Sequence, residues 1–223
     1  MSRRPVSNPL ALAVLACLWE RPMYPYEITT TLRERGKDQS IRLNFGSLYA
    51  VIKSLQKHGL IAEARSEREG NRPERIVYEI TEAGRTEAHD WMRDIIAEPA
   101  REHPALEAGL SLIALLPPDE AIDLLHHRVG RLDAMVKELE RQIADTTAAI
   151  VVPEIFLVEG RFHIAMLKAE RDWVDDLARR LDRGEVEGQD FWARAHAVLA
   201  DGISQDEFTA ALAAEEVGKP RQH

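Results

Sequence analysis

The hydrophobic period of the chain changes at Gly59 from that of a helix to that of a strand. Before Gly59, apolar residues recur three or four positions apart, as on one face of an α-helix. In residues 60–67 and 75–80 they alternate with polar residues, which is typical of half-buried strands. The segment EGNRPE, at 69–74, contains Gly, Asn and Pro and is typical of a turn. The chain is therefore predicted to form helices first and then a two-stranded hairpin.

Three short helices are predicted before the hairpin. Asn8-Pro9 and Tyr24-Pro25 are typical helix starts, because proline suits the first helical position. Gly36 is expected to end the second helix in a left-handed conformation. Gly59 is expected to end the third helix. The residues of the third helix predicted to be buried are Leu48, Ile52 and Leu55.

A fourth helix is predicted after the hairpin, with Thr81 as its N-cap. Its expected inward face is formed by Trp91, Met92, Ile95 and Ile96. Three helices, a hairpin and a helix, in this order, are typical of a winged helix-turn-helix. We therefore expect residues 1–97 to form such a domain and to bind DNA.

Residues 119–145 carry a heptad pattern over three repeats. So narrow an apolar stripe needs a partner helix, and we expect the next long helix, which ends at Gly184, to pair with it in antiparallel fashion. The pattern also predicts a two-fold dimer. The apolar side of the second long helix is predicted to hold Ile155, Phe162, Met166, Ala169, Trp173, Leu177 and Leu181. The residues assigned to dimerisation are Ile122, Leu125, Val129, Leu132, Val136, Leu139, Phe162 and Trp173.

The predicted fold is mostly α: an N-terminal winged helix-turn-helix of three helices and a two-stranded β-hairpin, followed by a C-terminal domain of long helices for dimerisation. Residues 98–117 are expected to connect the two parts and to include a short apolar helix. Residues 118–212 are expected to form the helical dimerisation and regulatory domain, with a last helix from Phe191 to Leu212, and residues 213–223 a flexible tail.

Charge divides the chain at a similar place. The whole sequence has a formal net charge of −9, but residues 1–95 sum to +2 and residues 96–223 to −11. Residues 33–75 carry ten basic and six acidic side chains, and local charge decides whether a surface attracts phosphates. The overall acidity therefore does not exclude nucleic-acid binding by the first part of the chain.

The third helix has features of a recognition helix. Small residues lie at its N-terminal end and lysines on its unburied faces, and the front of such a helix must enter a major groove about 12 Å wide. Arg65, Arg68, Arg72 and Arg75 surround the hairpin turn, where a wing would meet phosphates. An ordinary amphipathic helix beside an ordinary hairpin is the alternative interpretation. The residues on the unburied faces are Gly46, Ser47, Tyr49, Ala50, Lys53 and Lys57.

These segments resemble the PadR family of transcriptional regulators. GSLYAVIKSLQKHGLI and NRPERIVYEITEAGR are similar to the family's Gly-x-Leu-Tyr helix, Gly-Leu turn and Arg-x-x-x-Tyr-x-Leu-Thr-x-x-Gly wing. YPYEI resembles the Gly-Tyr-Glu-Leu opening of its second helix, so the likeness spans residues 9–95. Pro25 stands where glycine is common in the family, and Ala50 where proline often follows the tyrosine.

The resemblance implies a homodimer that binds an inverted-repeat operator in double-stranded promoter DNA and represses transcription. It also implies regulation by a small-molecule effector, for which Trp19, Trp91 and Met92 are candidate contacts; core packing is the alternative role of these side chains. Tyr78 is expected in the core of the hairpin rather than at DNA. The DNA-binding residues implied by the resemblance are Asn44, Ser47, Tyr49, Lys53, Arg72 and Arg75.

Motifs for other functions are weak or missing in the sequence. It has no nucleophile elbow, phosphate-binding glycine loop or HExxH, so we predict no enzyme activity, no cofactor and no metal site. Glu159 and His163 form one conceivable half-site for a metal, and Cys17 is expected to be a packed hydrophobe.

The sequence also gives an expectation for where the protein is located in the cell and leaves alternative functions open. The longest apolar run, at 110–116, is far shorter than the roughly 20 residues that span a membrane, so a cytoplasmic protein is expected. Two other functions stay open: a winged-helix protein-interaction module that does not bind DNA, and a helical protein that carries a ligand or metal.

Overall fold

The computed structural model describes residues 4, 6–37, 41, 45–67 and 75–200 and divides the chain into two compact units, Met1–Glu102 and His103–His223. The predicted fold class is confirmed. The first unit contains α1 (Pro9–Glu20), α2 (Pro25–Glu34), α3 (Phe45–Lys57), β1 (Ile61–Glu67), β2 (Arg75–Ile80) and α4 (Glu82–Ala97). The second contains α5 (Ala105–Ser111), α6 (Pro118–Ala149), α7 (Val158–Asp182) and α8 (Gln189–Ala200), with short 3-10 turns at Ile113–Leu115 and Glu154–Phe156.

Local capping interactions begin and end the helices of the first unit as the sequence predicts. The side chain of Asn8 accepts a hydrogen bond of 2.9 Å from the backbone N–H of Leu10 at the start of α1. At the start of α2, the Glu27 carboxylate accepts one of 2.7 Å from the N–H of Tyr24. Gly36 and Gly59 have φ values of 66° and 69°, which side chains other than glycine rarely adopt. The predicted left-handed cap at Gly36 and the predicted helix end at Gly59 are confirmed.

One apolar core joins all the elements of the first unit. Leu48, Ile52 and Leu55 of α3 expose 3%, 1% and 0% of their surface, as predicted from their spacing. They pack in a single cluster with side chains of α1, α2, α4 and both strands. This core fixes which side of α3 faces inward, and therefore which side faces solvent.

The hairpin is tied to the connection between α1 and α2. β1 and β2 pair antiparallel, with Ile61 opposite Ile80 and an irregularity between Glu63 and Arg65. Met23 adds a bridge to Tyr78, in which each backbone N–H donates to the other residue's carbonyl oxygen at 3.0 Å. Tyr78 exposes only 8% of its surface, so its predicted place in the hairpin core is confirmed.

The packing of α4 depends on Gly84. A Cβ atom at this position would lie 2.0 Å from the carbonyl oxygen of Leu60 and 2.8 Å from the side chain of Ile80. Thr81, the N-cap, accepts a hydrogen bond from the N–H of Gly84 and donates one of 2.7 Å to the carbonyl oxygen of Gly59. Glycine therefore permits a close approach of α4 to the start of β1.

The predicted inward face of α4 is confirmed at Trp91 and wrong at the other three residues. Its buried residues are Gly84, Ala88 and Trp91, whereas Met92, Ile95 and Ile96 expose 44%, 52% and 78% of their surfaces. The prediction included every apolar residue in the last two turns of α4, but the contacts of this helix with the core end at Trp91.

The heptad seam of α6 packs on α7 of the same chain. The first of two buried clusters contains Leu125, Val174, Ala178 and Leu181, and the second contains Leu132, Val136, Ile164 and Leu167. The partly buried residues Ile122, Val129, Leu139 and Ile143 flank these clusters. The predicted antiparallel pair is present, and the six α6 residues assigned to dimerisation are occupied by this internal contact; their assignment is corrected accordingly.

The packed side of α7 agrees with the prediction only near the end of the helix, where Leu181 is buried and Leu177 partly buried. The other side chains that meet α6 include Ile164, Leu167 and Val174, whereas Phe162, Met166 and Trp173 expose 67%, 54% and 53% of their surfaces. Because α7 has apolar residues on two sides, the spacing alone did not separate the packed side from the exposed one. The predicted last helix, Phe191 to Leu212, is described only to Ala200, and the tail at 213–223 lies outside the described residues.

Ion pairs set the register of α6 against α7. Arg128 meets Glu170 at 2.5 Å, and Arg171 meets Asp133 at 2.9 Å. Towards the far end of α6, Lys168 meets Glu140 at 2.6 Å. A shift by one helical turn would separate these charges, so the pairs add register specificity to the apolar contact. In the part of the chain that the structure describes, no helix is long and apolar enough to cross a membrane.

Candidate nucleic-acid interface

The solvent-facing side of α3 carries the central part of the candidate interface. Tyr49 exposes 53% of its surface, and Lys53 and Lys57 are exposed on the same helix. Gly46 and Ala50 are also exposed, so the helix backbone is open to close approach. Ser47 is half buried and has an interaction partner within the protein. Small residues followed by a cation fit an element that enters a groove and meets phosphates.

α3 packs beside β1, so the recognition helix and the hairpin are neighbours in the first unit. Burial raises the pKa of the Tyr78 hydroxyl in β2, and electrostatic interactions with Glu63 and Tyr49 raise it further.

The wing is only partly described. Arg75 is the first residue of β2 and pairs with Glu67 across the hairpin, and Arg65 is exposed on β1. Asn44 and Arg72, which were assigned to DNA binding from the sequence, lie outside the described residues, as does Arg68. The parts of the predicted interface that the structure locates are Ser47, Tyr49, Lys53 and the backbone of Arg75.

The exposed side of α2 carries an aromatic residue that was not among the predicted DNA contacts. Tyr26 exposes 52% of its surface, and its ring stacks on Tyr24 with centroids 5.6 Å apart and an interplanar angle of 14°. α2 packs on α3 through Ile28 and Leu32, so Tyr26 belongs to the same helix-turn-helix. The available signal was its position on the wheel of α2, opposite those two buried residues.

The three predicted effector residues have different environments. Trp19 exposes 44% of its surface, with the Arg85 guanidinium 5.1 Å from its ring centroid, and Met92 is also 44% exposed. Trp91 exposes only 6% and is part of the core. Of the three, Trp19 and Met92 are therefore accessible for a ligand in this state.

A separate cavity of about 340 Å³ is formed by the loop between α7 and α8. Its lining is mainly polar and acidic, with Glu185, Glu187 and Asp190, and contains none of the predicted effector residues. It does not resemble the mostly apolar pockets in which small ligands usually bind.

The titratable side chains of the described residues are scattered and do not gather into a metal-binding cluster. The imidazole of His126 lies 2.8 Å from the carboxylate of Asp182, and both side chains are about half exposed. No group of three or more His, Cys, Asp or Glu residues lies close enough to hold a metal within the described part of the chain. Cys17 is 1% exposed, and burial raises the pKa of its thiol to about 11, which keeps it protonated at neutral pH.

A known protein family matches most of the first unit. Residues 14–90 match the model of the "Transcriptional regulator PadR-like family". The chain is also 24% identical over 183 residues to the "Negative transcriptional regulator PadR" of Bacillus subtilis (strain 168), covering 78% of this chain and 98% of that protein.

Solved structures give the same fold. Bacillus subtilis PadR in complex with operator DNA has a TM-score of 0.59 at 20% identity, covering 78% of this chain and 99% of that one. The same protein in complex with p-coumaric acid has a TM-score of 0.57 at 19% identity, with coverages of 78% and 98%. The PadR-like regulator BC1756 from Bacillus cereus has a TM-score of 0.52 at 16% identity, with coverages of 78% and 99%.

Proposed function

We propose that this chain, whose residues 14–90 match the model of the PadR-like family of transcriptional regulators, binds promoter DNA as a homodimer and represses transcription. The observation that carries the proposal is the two-sided character of α3. Leu48, Ile52 and Leu55 hold one side in the core, and the other side presents Tyr49 and Lys53 to solvent. Each dimer would insert two such helices into successive major grooves, about one helical turn apart.

The wing and α2 would complete the contact with DNA. Asn44, Arg72 and Arg75 are proposed as further contacts, and Tyr26 is added because it is exposed and held in place by Tyr24. Basic side chains at the hairpin would meet phosphates, which gives affinity, while α3 would meet base edges, which gives specificity.

The first test is binding to the DNA just upstream of the protein's own gene. Lys53→Glu combined with Arg72→Glu is expected to abolish a gel shift while leaving the oligomeric state intact. Arg131→Glu combined with Lys137→Glu, an equal charge change at two exposed positions of α6, is the matched control and should bind like the wild type. Binding should also weaken steeply with salt, because phosphate contacts release counterions.

Two results would count against DNA binding by this face. Normal operator affinity in the Lys53→Glu and Arg72→Glu variant would remove α3 and the wing as the interface. If the wild-type protein does not shift promoter DNA in the gel at low salt, a protein-interaction module that does not bind DNA is the better interpretation.

We propose that the homodimer forms through the exposed apolar side of α7. Phe162, Met166 and Trp173 follow one another at intervals of four and seven residues, each more than half exposed. Ala165 and Ala169 lie among them and are exposed, so a second helix can approach closely. Phe162→Glu is expected to convert the dimer to a monomer in sedimentation velocity, while Leu112→Glu, on an equally exposed residue of the second unit, should not. A dimer of normal stability in Phe162→Glu would contradict this assignment.

A small-molecule effector is proposed to relieve repression, by analogy with Bacillus subtilis PadR, of which a complex with p-coumaric acid is known. Trp19 and Met92 are the proposed contacts, because both are accessible. Planar phenolic acids are suitable probes. Loss of the gel shift at rising ligand concentration would support the proposal if the Trp19→Ala variant no longer responds to the ligand.

Such a regulator would act in the cytoplasm, where the promoter lies. We propose no catalytic role, no cofactor and no resident metal.

A further inference from the structure

Arg4, just before α1, is fastened to α4 by three interactions. Its guanidinium donates hydrogen bonds to Glu87, at 2.5 Å, and to Asp94. The same group lies 5.6 Å from the ring centroid of Trp91, close enough for a cation–π contact. Glu87, Trp91 and Asp94 are four and three residues apart, so they share one face of α4 and converge on a single cation.

The position of these contacts matters because the core support of α4 ends at Trp91. Trp91 is the last buried residue of the helix, and residues 92–97 are exposed. Asp94 lies within this exposed last turn and a half, where Arg4 attaches it to the segment before α1. The guanidinium therefore extends the anchored part of α4 beyond the apolar core.

Arg4 also covers an aromatic face. The side chain of Arg4 is 17% exposed and that of Glu87 24%, so the guanidinium lies partly enclosed against the Trp91 ring. Trp91 was one of the residues predicted to contact an effector, and in this state the contact is taken by the chain's own cation.

We propose that Arg4 is a releasable strap that closes one face of Trp91 and fastens the last turn of α4. The last turn is attached through the ion pair with Asp94, whose side chain is 54% exposed, whereas the pair with Glu87 is more enclosed. Such pairs are weak and are screened by salt, whereas the apolar contacts of the core are not. The strap can therefore open while the first unit stays folded. This inference does not depend on DNA binding.

Hydrogen–deuterium exchange of the full-length protein tests the strap. In Arg4→Gln, the amides of residues 92–97 are expected to exchange about tenfold faster at low salt. The variant lacks the ion pairs that oppose local opening of this part of the helix. The exchange rate of these amides in the wild type should approach that of the variant at about 1 M salt, where the Debye screening length is roughly 3 Å. Arg93→Gln is the matched control: Arg93 pairs with Asp90 on the same helix, but both are largely exposed, and the exchange of 92–97 should not change.

Oxidation of tryptophan by N-bromosuccinimide, read by peptide mass spectrometry, gives a second measure. Trp91 should become more reactive in Arg4→Gln and at high salt, whereas Trp192, whose indole N–H donates to the carbonyl of Leu116 at 2.9 Å, serves as the internal reference.

Three results would overturn the strap. Unchanged exchange at 92–97 in Arg4→Gln, or exchange in the wild type that is insensitive to salt, would show that Arg4 does not fasten the helix. Faster exchange throughout the first unit, α3 included, would mean that Arg4 acts on overall stability instead. Loss of operator binding by the wild type would leave these measurements unaffected, so the two proposals fail separately.

Discussion

The two units of this protein differ in how fully each buries its own apolar surface. The first collects side chains from α1 to α4 and both strands into one cluster. The second has two smaller clusters between α6 and α7 and leaves the other side of α7, with Phe162 and Trp173, exposed to solvent. A helix with apolar residues on both sides is not satisfied by a single neighbour. We infer that the first unit is stabilised by its own contacts and that the second requires a further surface.

The largest effect is expected where the first unit is most completely packed. Leu55, at the centre of that core, has no exposed surface, and Leu55→Ala should lower the free energy of unfolding by about 4 kcal/mol. Phe162→Ala removes a larger side chain, but from an exposed position, and should change the unfolding of the monomer by less than about 0.5 kcal/mol. Urea denaturation of dilute protein measures both. Similar losses in the two variants would contradict the contrast between the units.

A somewhat smaller effect is expected at the junction of α4 with the hairpin. Gly84→Ala places a methyl group 2.0 Å from a backbone oxygen, which cannot move without displacing β1. The destabilisation should reach about 3 kcal/mol, at the upper end of overpacked sites. Gly130→Ala in α6 is the control, because a Cβ there meets nothing within 4 Å, and it should be neutral or stabilising. Thermal unfolding of the two variants, followed by circular dichroism, distinguishes strain from a general effect of replacing glycine.

The ion pairs between α6 and α7 should contribute less than either change. Removal of both Lys168 and Glu140 by Lys168→Gln and Glu140→Gln should cost about 0.5 kcal/mol, since both side chains are nearly half exposed. A double-mutant cycle gives the coupling energy, and the coupling should decline as salt is added. A coupling energy above about 2 kcal/mol would show that charge, rather than the apolar seam, holds this pair of helices together.

The smallest predicted effect is a pH dependence in the first unit. The hydrogen bond and charge of Arg35 lower the pKa of Glu20 below its ordinary value of 4.5. A carboxylate whose pKa is lowered by folding adds stability above the unfolded pKa, and this part is lost as the pH falls through the folded pKa. Compared with Glu20→Gln, the wild type should therefore lose a small advantage in unfolding free energy below about pH 4.5. Because both side chains are about half exposed, solvent limits the effect.

Much of the first unit could be predicted because its signals are local. The caps at Asn8, Gly36 and Gly59 depend on neighbouring residues, and the buried side of α3 follows from a single clear apolar stripe. The solvent-facing positions of Tyr49 and Lys53 follow from the same stripe. The position of Tyr26 on α2 marks it as exposed, but the sequence does not distinguish a DNA contact from an ordinary exposed aromatic.

The second unit was harder to predict for a reason that its composition explains. α7 carries apolar residues on two sides, and the periodicity gives the positions of both without stating which one meets α6. The choice depends on shape and charge across the pair, as in the contacts of Arg128 with Glu170 and of Arg171 with Asp133. The predicted seam of α6 was correct as a packed stripe, but its partner was α7 and not a second copy.

By itself, the sequence determined the order of the elements, their caps and the two faces of α3, because these depend on residues within about one helical turn. The tertiary structure decided which side of α7 is buried, the pairing of Met23 with Tyr78, and the attachment of Arg4 to α4. Arg4 lies 83 residues from Glu87 and 90 from Asp94 along the chain. No local pattern encodes such a contact, since it forms only when the whole core has brought α1 and α4 together.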